Sequence, residues 1–179
     1  MRSGIRNGME DEQMKRTLAT VGALAILTVA LAAPTALATT PATDWDDIIT
    51  GTSGADDLSG GDGRDKIIGL EGADDLTGGP GADLIQGGPG NDFVGGGGYH
   101  DELYGGKGTD TIRGGDGNDD LYGGGGVDKL YGGDGADVVR ASGDGARDTV
   151  DCGTGDGDRA FVDPGDWVTN CEKIEVVLG

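Results

Sequence analysis

Asp56, Asp65, Asp74, Asp83, Asp92, Asp101, Asp110, Asp119, Asp128 and Asp137 recur every nine residues without a slip. Two residues after each stands an aliphatic, in order Leu58, Ile67, Leu76, Ile85, Val94, Leu103, Ile112, Leu121, Leu130 and Val139. A glycine opens each unit, from Gly51 to Gly132. Acidic composition sets frequencies but not phase, so this lattice constrains the architecture directly. A chain that repeats at so short a period folds as a stack of like units, each too small to bury its own apolar face.

Within one unit, such as GGDGRDKII over residues 60–68, the first six residues carry turn chemistry. Glycine reaches the positive φ angles that residues with a Cβ avoid. The last three residues form a short strand with the aliphatic pointing inward and its two neighbours outward. Strand, turn, strand, turn then makes a coil of two units. The ten units predict five coils, an all-β, right-handed parallel β-roll with two inward rows of aliphatics as a thin core.

That core carries little weight. The chain has 179 residues, 40 glycines, only two tryptophans, four tyrosines and two phenylalanines, and a formal net charge of −20. Low hydrophobicity with high net charge ordinarily leaves a chain disordered. The periodicity argues for order, so something must offset the charge.

The flanks divide from the repeats. Residues 18–33 form an apolar run preceded by Lys15-Arg16 and followed by Ala36-Leu37-Ala38, the order of an export signal with cleavage after Ala38. The run is short for a membrane span, so no integral membrane segment is expected after cleavage. Residues 1–38 hold four of the 13 basic and three of the 33 acidic residues, leaving 9 basic and 30 acidic. A chain so anionic is a poor partner for nucleic acid or an anionic membrane surface. Residues 39–50 read as a linker and an atypical first coil, in which Asp47 and Ile49 keep the phase without the glycines. The ten nonapeptides fill 51–140. In 141–179, two extra residues shift the register, GDGARDTVD resumes it with Asp148 and Val150, and the remainder reads as a C-terminal cap. Cys152 and Cys171 are the two cysteines, and in an exported chain such a pair reads as one disulfide.

Catalytic patterns are missing. His100 is the single histidine, and neither His-Glu-x-x-His nor Gly-x-Ser-x-Gly occurs. The glycine runs lack the βαβ setting that dinucleotide binding requires. Adjacent acids such as Asp119 and Asp120 point to opposite faces of a strand, so they cannot flank one glycosidic bond. The chain reads as no enzyme.

The motif Gly-Gly-x-Gly-x-Asp-x-U-x, with U aliphatic, stands intact in GGKGTDTIR (105–113) and GGDGNDDLY (114–122). It resembles the RTX, or haemolysin-type, calcium-binding repeat. The resemblance implies calcium between turns stacked one coil apart, held by glycine-turn carbonyls and the sixth-position aspartate. Calcium takes six to eight hard oxygens, more than one turn supplies. One row would use Asp56, Asp74, Asp92, Asp110 and Asp128, the other Asp65, Asp83, Asp101, Asp119 and Asp137. Four gaps per row set a ceiling of about eight ions, which would offset most of the charge. Tyr99 replaces the fourth-position glycine in GGGYHDELY, so the turn carrying Asp101 is expected to distort. Tyr104 and Tyr122, one coil apart, are expected to stack on one face, as a packing ladder with a sugar-binding platform as the alternative. The expectation is a secreted calcium-binding protein that folds on binding several ions. The alternative is a calcium-rigidified adhesive or cell-envelope protein.

Overall fold

The computed structural model describes residues 25–28 and 44–178, and every regular element among them is a strand. One sheet contains β1 (Ala25–Thr28), β2 (Asp47–Thr50), β4 (Lys66–Ile68), β6 (Leu84–Pro89), β8 (Glu102–Lys107), β10 (Asp120–Gly125), β12 (Val138–Ala141), β14 (Arg159–Val162) and β16 (Lys173–Val176), in that spatial order. The other runs β3 (Asp57–Ser59), β5 (Asp75–Pro80), β7 (Phe93–Gly98), β9 (Thr111–Asp116), β11 (Lys129–Asp134), β13 (Thr149–Thr154) and β15 (Trp167–Thr169). From β2 onward consecutive strands alternate between the sheets, β1 pairing with β2 in the first, and neighbours within a sheet are parallel. This is a parallel β-solenoid of about seven turns. Apart from Ala25–Thr28, the expected export signal lies outside the described residues.

Register follows from the lattice. Ile67 stands beside Ile85, Ile85 beside Leu103, Leu103 beside Leu121 and Leu121 beside Val139. All ten repeat aliphatics are buried, with at most 1 % of their surface exposed, and they form one core with Ile49, Val150, Ala160 and Val162. A one-residue slip would turn this row outward, so burial fixes the register. The strands are longer than the three residues expected. From β5 to β11 they run six residues, into the turn of the next unit. Turn backbone also bonds from coil to coil, as Gly63 N–H does to the Pro80 carbonyl at 3.0 Å.

The stack continues through the segment read as a cap. Beyond Ala141 the step between stacked aspartates changes to 20 and then 21 residues, and the strands still pair in parallel. Cys152 in β13 is bonded to Cys171, which follows β15.

At fourth-position glycines the coils nearly touch. A Cβ on Gly81 would lie 1.4 Å from the Gly63 carbonyl oxygen. Gly81 has φ 156°, whereas Tyr99 at the matching position has φ 82°. The tyrosine enters the left-handed region to keep its Cβ off the coil before it, at a cost of about 1–2 kcal/mol. The expected distortion is limited to this angle. Tyr99 N–H still reaches the Asp116 carbonyl at 2.6 Å, and Asp101 remains fully buried. The tyrosine side chain is 71 % exposed, so little packing opposes its removal. Tyr99→Gly is expected to stabilise the folded protein by about 1 kcal/mol, read as a higher denaturant midpoint at fixed calcium. A lower midpoint would show that the tyrosine packs more than it strains.

Tyr104 and Tyr122 stack with ring centroids 4.5 Å apart and planes 9° from parallel. The Arg140 guanidinium extends this column, 4.8 Å from the Tyr122 ring and 5.4 Å from that of Phe161. The two tyrosines cover one another's facing surfaces, the arrangement of a packing ladder.

Candidate metal centre

All ten lattice aspartates are buried, none more than 3 % exposed. An isolated buried carboxylate is costly, and a ladder supplies part of the compensation. The backbone N–H of each aspartate donates to Oδ1 of the aspartate one coil later. Asp56 donates to Asp74, Asp74 to Asp92, Asp92 to Asp110 and Asp110 to Asp128, at 2.8–2.9 Å. In the second row Asp65 donates to Asp83, Asp83 to Asp101, Asp101 to Asp119 and Asp119 to Asp137, at 2.7–2.8 Å. The turns thus bring together the two rows that the spacing implies.

The ladder reaches further than the lattice. Asp47 donates to Asp65, Asp128 to Asp148, Asp137 to Asp158, Asp148 to Asp166, and Asp158 to Glu172. Asp158, Asp166 and Glu172 escape sequence reasoning because the changed steps put them out of phase. Val162 and the Asp158-x-Ala160 pair were the available signal.

The other carboxylate oxygen is left over. Oδ2 of Asp65, Asp74, Asp83, Asp92, Asp101, Asp110, Asp119, Asp128 and Asp137 is buried and accepts no hydrogen bond. Asp56 differs, its Oδ2 accepting Thr52 N–H at 2.6 Å. Each spare oxygen faces a small cradle kept open by the first-position glycine. The point where a Cβ on Gly105 would sit lies 2.6 Å from Asp110 Oδ2 and 2.7 Å from the Gly123 carbonyl oxygen of the next coil. Gly69, Gly78, Gly87, Gly96 and Gly114 repeat this convergence of a carboxylate and a carbonyl. Among the described residues no three acidic, histidine or cysteine side chains cluster as a metal site. A cation here must therefore draw on backbone carbonyls, as a hard-oxygen ion such as calcium does. The donor set fits calcium, with one negative oxygen per turn and carbonyls as the remainder.

Burial pushes the carboxyls of Asp74, Asp83, Asp110, Asp137 and Asp148 up to about 6 and that of Asp101 to about 7. Asp65, Asp92, Asp119 and Asp128 are raised by the same cause. The coil-to-coil N–H donors pull all of them partly back. Folding therefore takes up protons, and the charging penalty is absent below the unfolded value of about 4. It grows between about 4 and 6–7 and is complete above that window. Acidifying the calcium-free protein from pH 7.5 to about 4.5 is expected to increase its strand signal in far-UV circular dichroism. In the same window protons compete with calcium, so the calcium midpoint should rise. Strand loss on acidifying the calcium-free protein would contradict the assignment of these buried, uncompensated oxygens.

His100 is exposed, with Nδ1 against the Asn118 carbonyl. It borders a groove whose lining includes Arg64, Lys66, Asp83 and Glu102 but neither serine nor cysteine.

No curated protein matches this chain. The family model for the RTX calcium-binding nonapeptide repeat matches four times, at residues 43–76, 68–103, 95–130 and 114–145. These matches span more than half of the chain and include all ten lattice aspartates, and the chain belongs to the RTX calcium-binding nonapeptide repeat family.

Proposed function

We propose that this is an exported, non-enzymatic calcium-binding protein whose coils assemble around several ions held between stacked turns. The observation that carries the reading is the repeated pair of a buried, unbonded Asp Oδ2 and a facing carbonyl from the next coil. Nine buried anionic oxygens without hydrogen-bond donors would oppose folding. Divalent ions at the same places turn that opposition into coordination. Metal ligation is then folding free energy, because the site forms only when two coils stack.

Export rests on the apolar run and small-residue cleavage pattern before residue 39. Among the described residues no helix is long and apolar enough to cross a membrane. Isothermal titration of the decalcified protein tests the binding itself. The expected result is several calcium ions per chain, up to about eight in the regular gaps, with magnesium a poor substitute. A single weak site, or equal response to both ions, would refute the reading.

A further inference from the structure

The two ladders end differently. Past Asp128 the step lengthens to 20 residues, although Ala141 still lies in β12 and pairs with Val162. The point where a Cβ on Gly123 would sit is then 2.8 Å from Asp128 Oδ2, and no carbonyl oxygen comes closer to it than 3.5 Å. Past Asp137 the step is longer still, 21 residues. Yet the matching point on Gly132 lies 2.4 Å from Asp137 Oδ2 and 2.2 Å from the Cys152 carbonyl oxygen. The convergence lost in one row is kept in the other, and a cysteine backbone keeps it.

Cys152 stands where a regular turn has its first glycine. Gly153 and Gly155 follow with φ 102° and 151°, close to the 121° and 147° of Gly133 and Gly135 one coil earlier. The turn then takes one extra residue, at Gly157 with φ 112°, before Asp158 closes it. Asp158 is fully buried. Its Oδ1 accepts Asp137 N–H at 2.7 Å, and its Oδ2 accepts nothing. The Cys152 side chain is also fully buried, and its disulfide partner Cys171 is followed by Glu172, whose Oε2 accepts Asp158 N–H at 2.8 Å. The disulfide and this hydrogen bond anchor opposite ends of one turn to the same short segment.

We propose that the turn from Cys152 to Asp158, beyond the last matched repeat, forms a further calcium site with Asp137, Asp158 and the Cys152 carbonyl as ligands, and that the Cys152–Cys171 bond positions that carbonyl. This rests on the calcium reading of the regular turns. A regular turn orients its first-position carbonyl through eighteen-residue stacking on both sides. Here β13 stacks regularly on β11 through Thr154, but on its other side it pairs with β15 only as far as Asp151 and Thr169, so on that side the covalent link supplies the orientation that stacking does not. The disulfide is a positioning element and contributes no ligand atom of its own.

The experiment counts calcium ions on the full chain by native mass spectrometry, with circular dichroism on the same samples. The double variant Cys152→Ala, Cys171→Ala is expected to bind one ion fewer than the parent while keeping its strand signal in calcium. Asp158→Asn, with the disulfide intact, is expected to lose the same single ion. It covers the case in which the cysteine variant fails to fold. A full complement of ions in either folded variant would overturn the proposal and leave the regular sites standing. Absence of calcium on the parent would instead remove the reading on which it rests.

Discussion

Adding millimolar calcium to the chelator-treated protein is expected to convert it cooperatively from coil to strand, the largest change any single reagent should produce. At neutral pH the chain carries a formal charge of −20, and its core is a double row of single aliphatics. Fixing each backbone residue costs about 1–2 kcal/mol. Each fully buried Leu, Ile or Val returns about 1.5–3 kcal/mol, but only about one residue in nine contributes. Buried carboxylates whose Oδ2 has no donor move the balance further toward the coil. Calcium removes that opposition at every gap it fills. Magnesium should fail, because it demands a near-ideal octahedron of closer oxygens and dehydrates reluctantly. The measurement is far-UV circular dichroism against free calcium, with a magnesium titration beside it. A strand spectrum that chelator leaves unchanged would show that the ladder of N–H to Oδ1 bonds suffices without metal.

Phase made the central part of this molecule legible. Burial selects one residue in nine for the core and one aspartate in every nine residues for the turn, so the rows of Ile112 and Asp110 could be drawn from spacing, although the ladder of N–H to Oδ1 bonds could not. Two things did not follow from spacing. The aspartate divides its oxygens, giving Oδ1 to the preceding coil and leaving Oδ2 for the cradle, which needs three-dimensional register to see. The C-terminal coils also break the nine-residue count while keeping the stack. Ala160 and Val162 lie in the core, and Asp158 lies in the ladder, because inserted residues bulge at the turns and leave the pairing intact. Tyr99 teaches the same lesson on a smaller scale. Its misfit with the motif was plain, but its cost is confined to one backbone angle because the neighbouring coils hold the rest of the turn.

Position along a row should decide how much an aspartate matters, and the second large effect is expected from the middle of the rod. Asp110 accepts the Asp92 N–H, donates its own to Asp128, and keeps its Oδ2 at the Gly105 cradle that the Gly123 carbonyl oxygen also borders. Asp110→Ala strands the Asp92 amide inside the stack, at about 1–3 kcal/mol, and removes the ligand charge of Oδ2 from the gap toward Asp128. Because binding and folding are linked, this should appear as a calcium midpoint raised about tenfold or more. Asp56 stands at the near end of its row, where its carboxylate is engaged within its own turn by Thr52. Asp47 belongs to the other row and backs Asp65 instead. Asp56→Ala should therefore fray one end and raise the midpoint less. Asp120 is the control, as acidic as its neighbour but facing outward, where its carboxylate meets Arg140 at 2.9 Å on a partly exposed surface. Such a pair is worth about 0–1 kcal/mol, so Asp120→Ala should leave the midpoint nearly unchanged. The order Asp110, then Asp56, then Asp120 is what the nine-residue phase requires. Equal midpoints for Asp110→Ala and Asp120→Ala would mean that total acidity, not ladder position, attracts the ion, and the assignment of the sixth-position aspartates as ligands would fall with it.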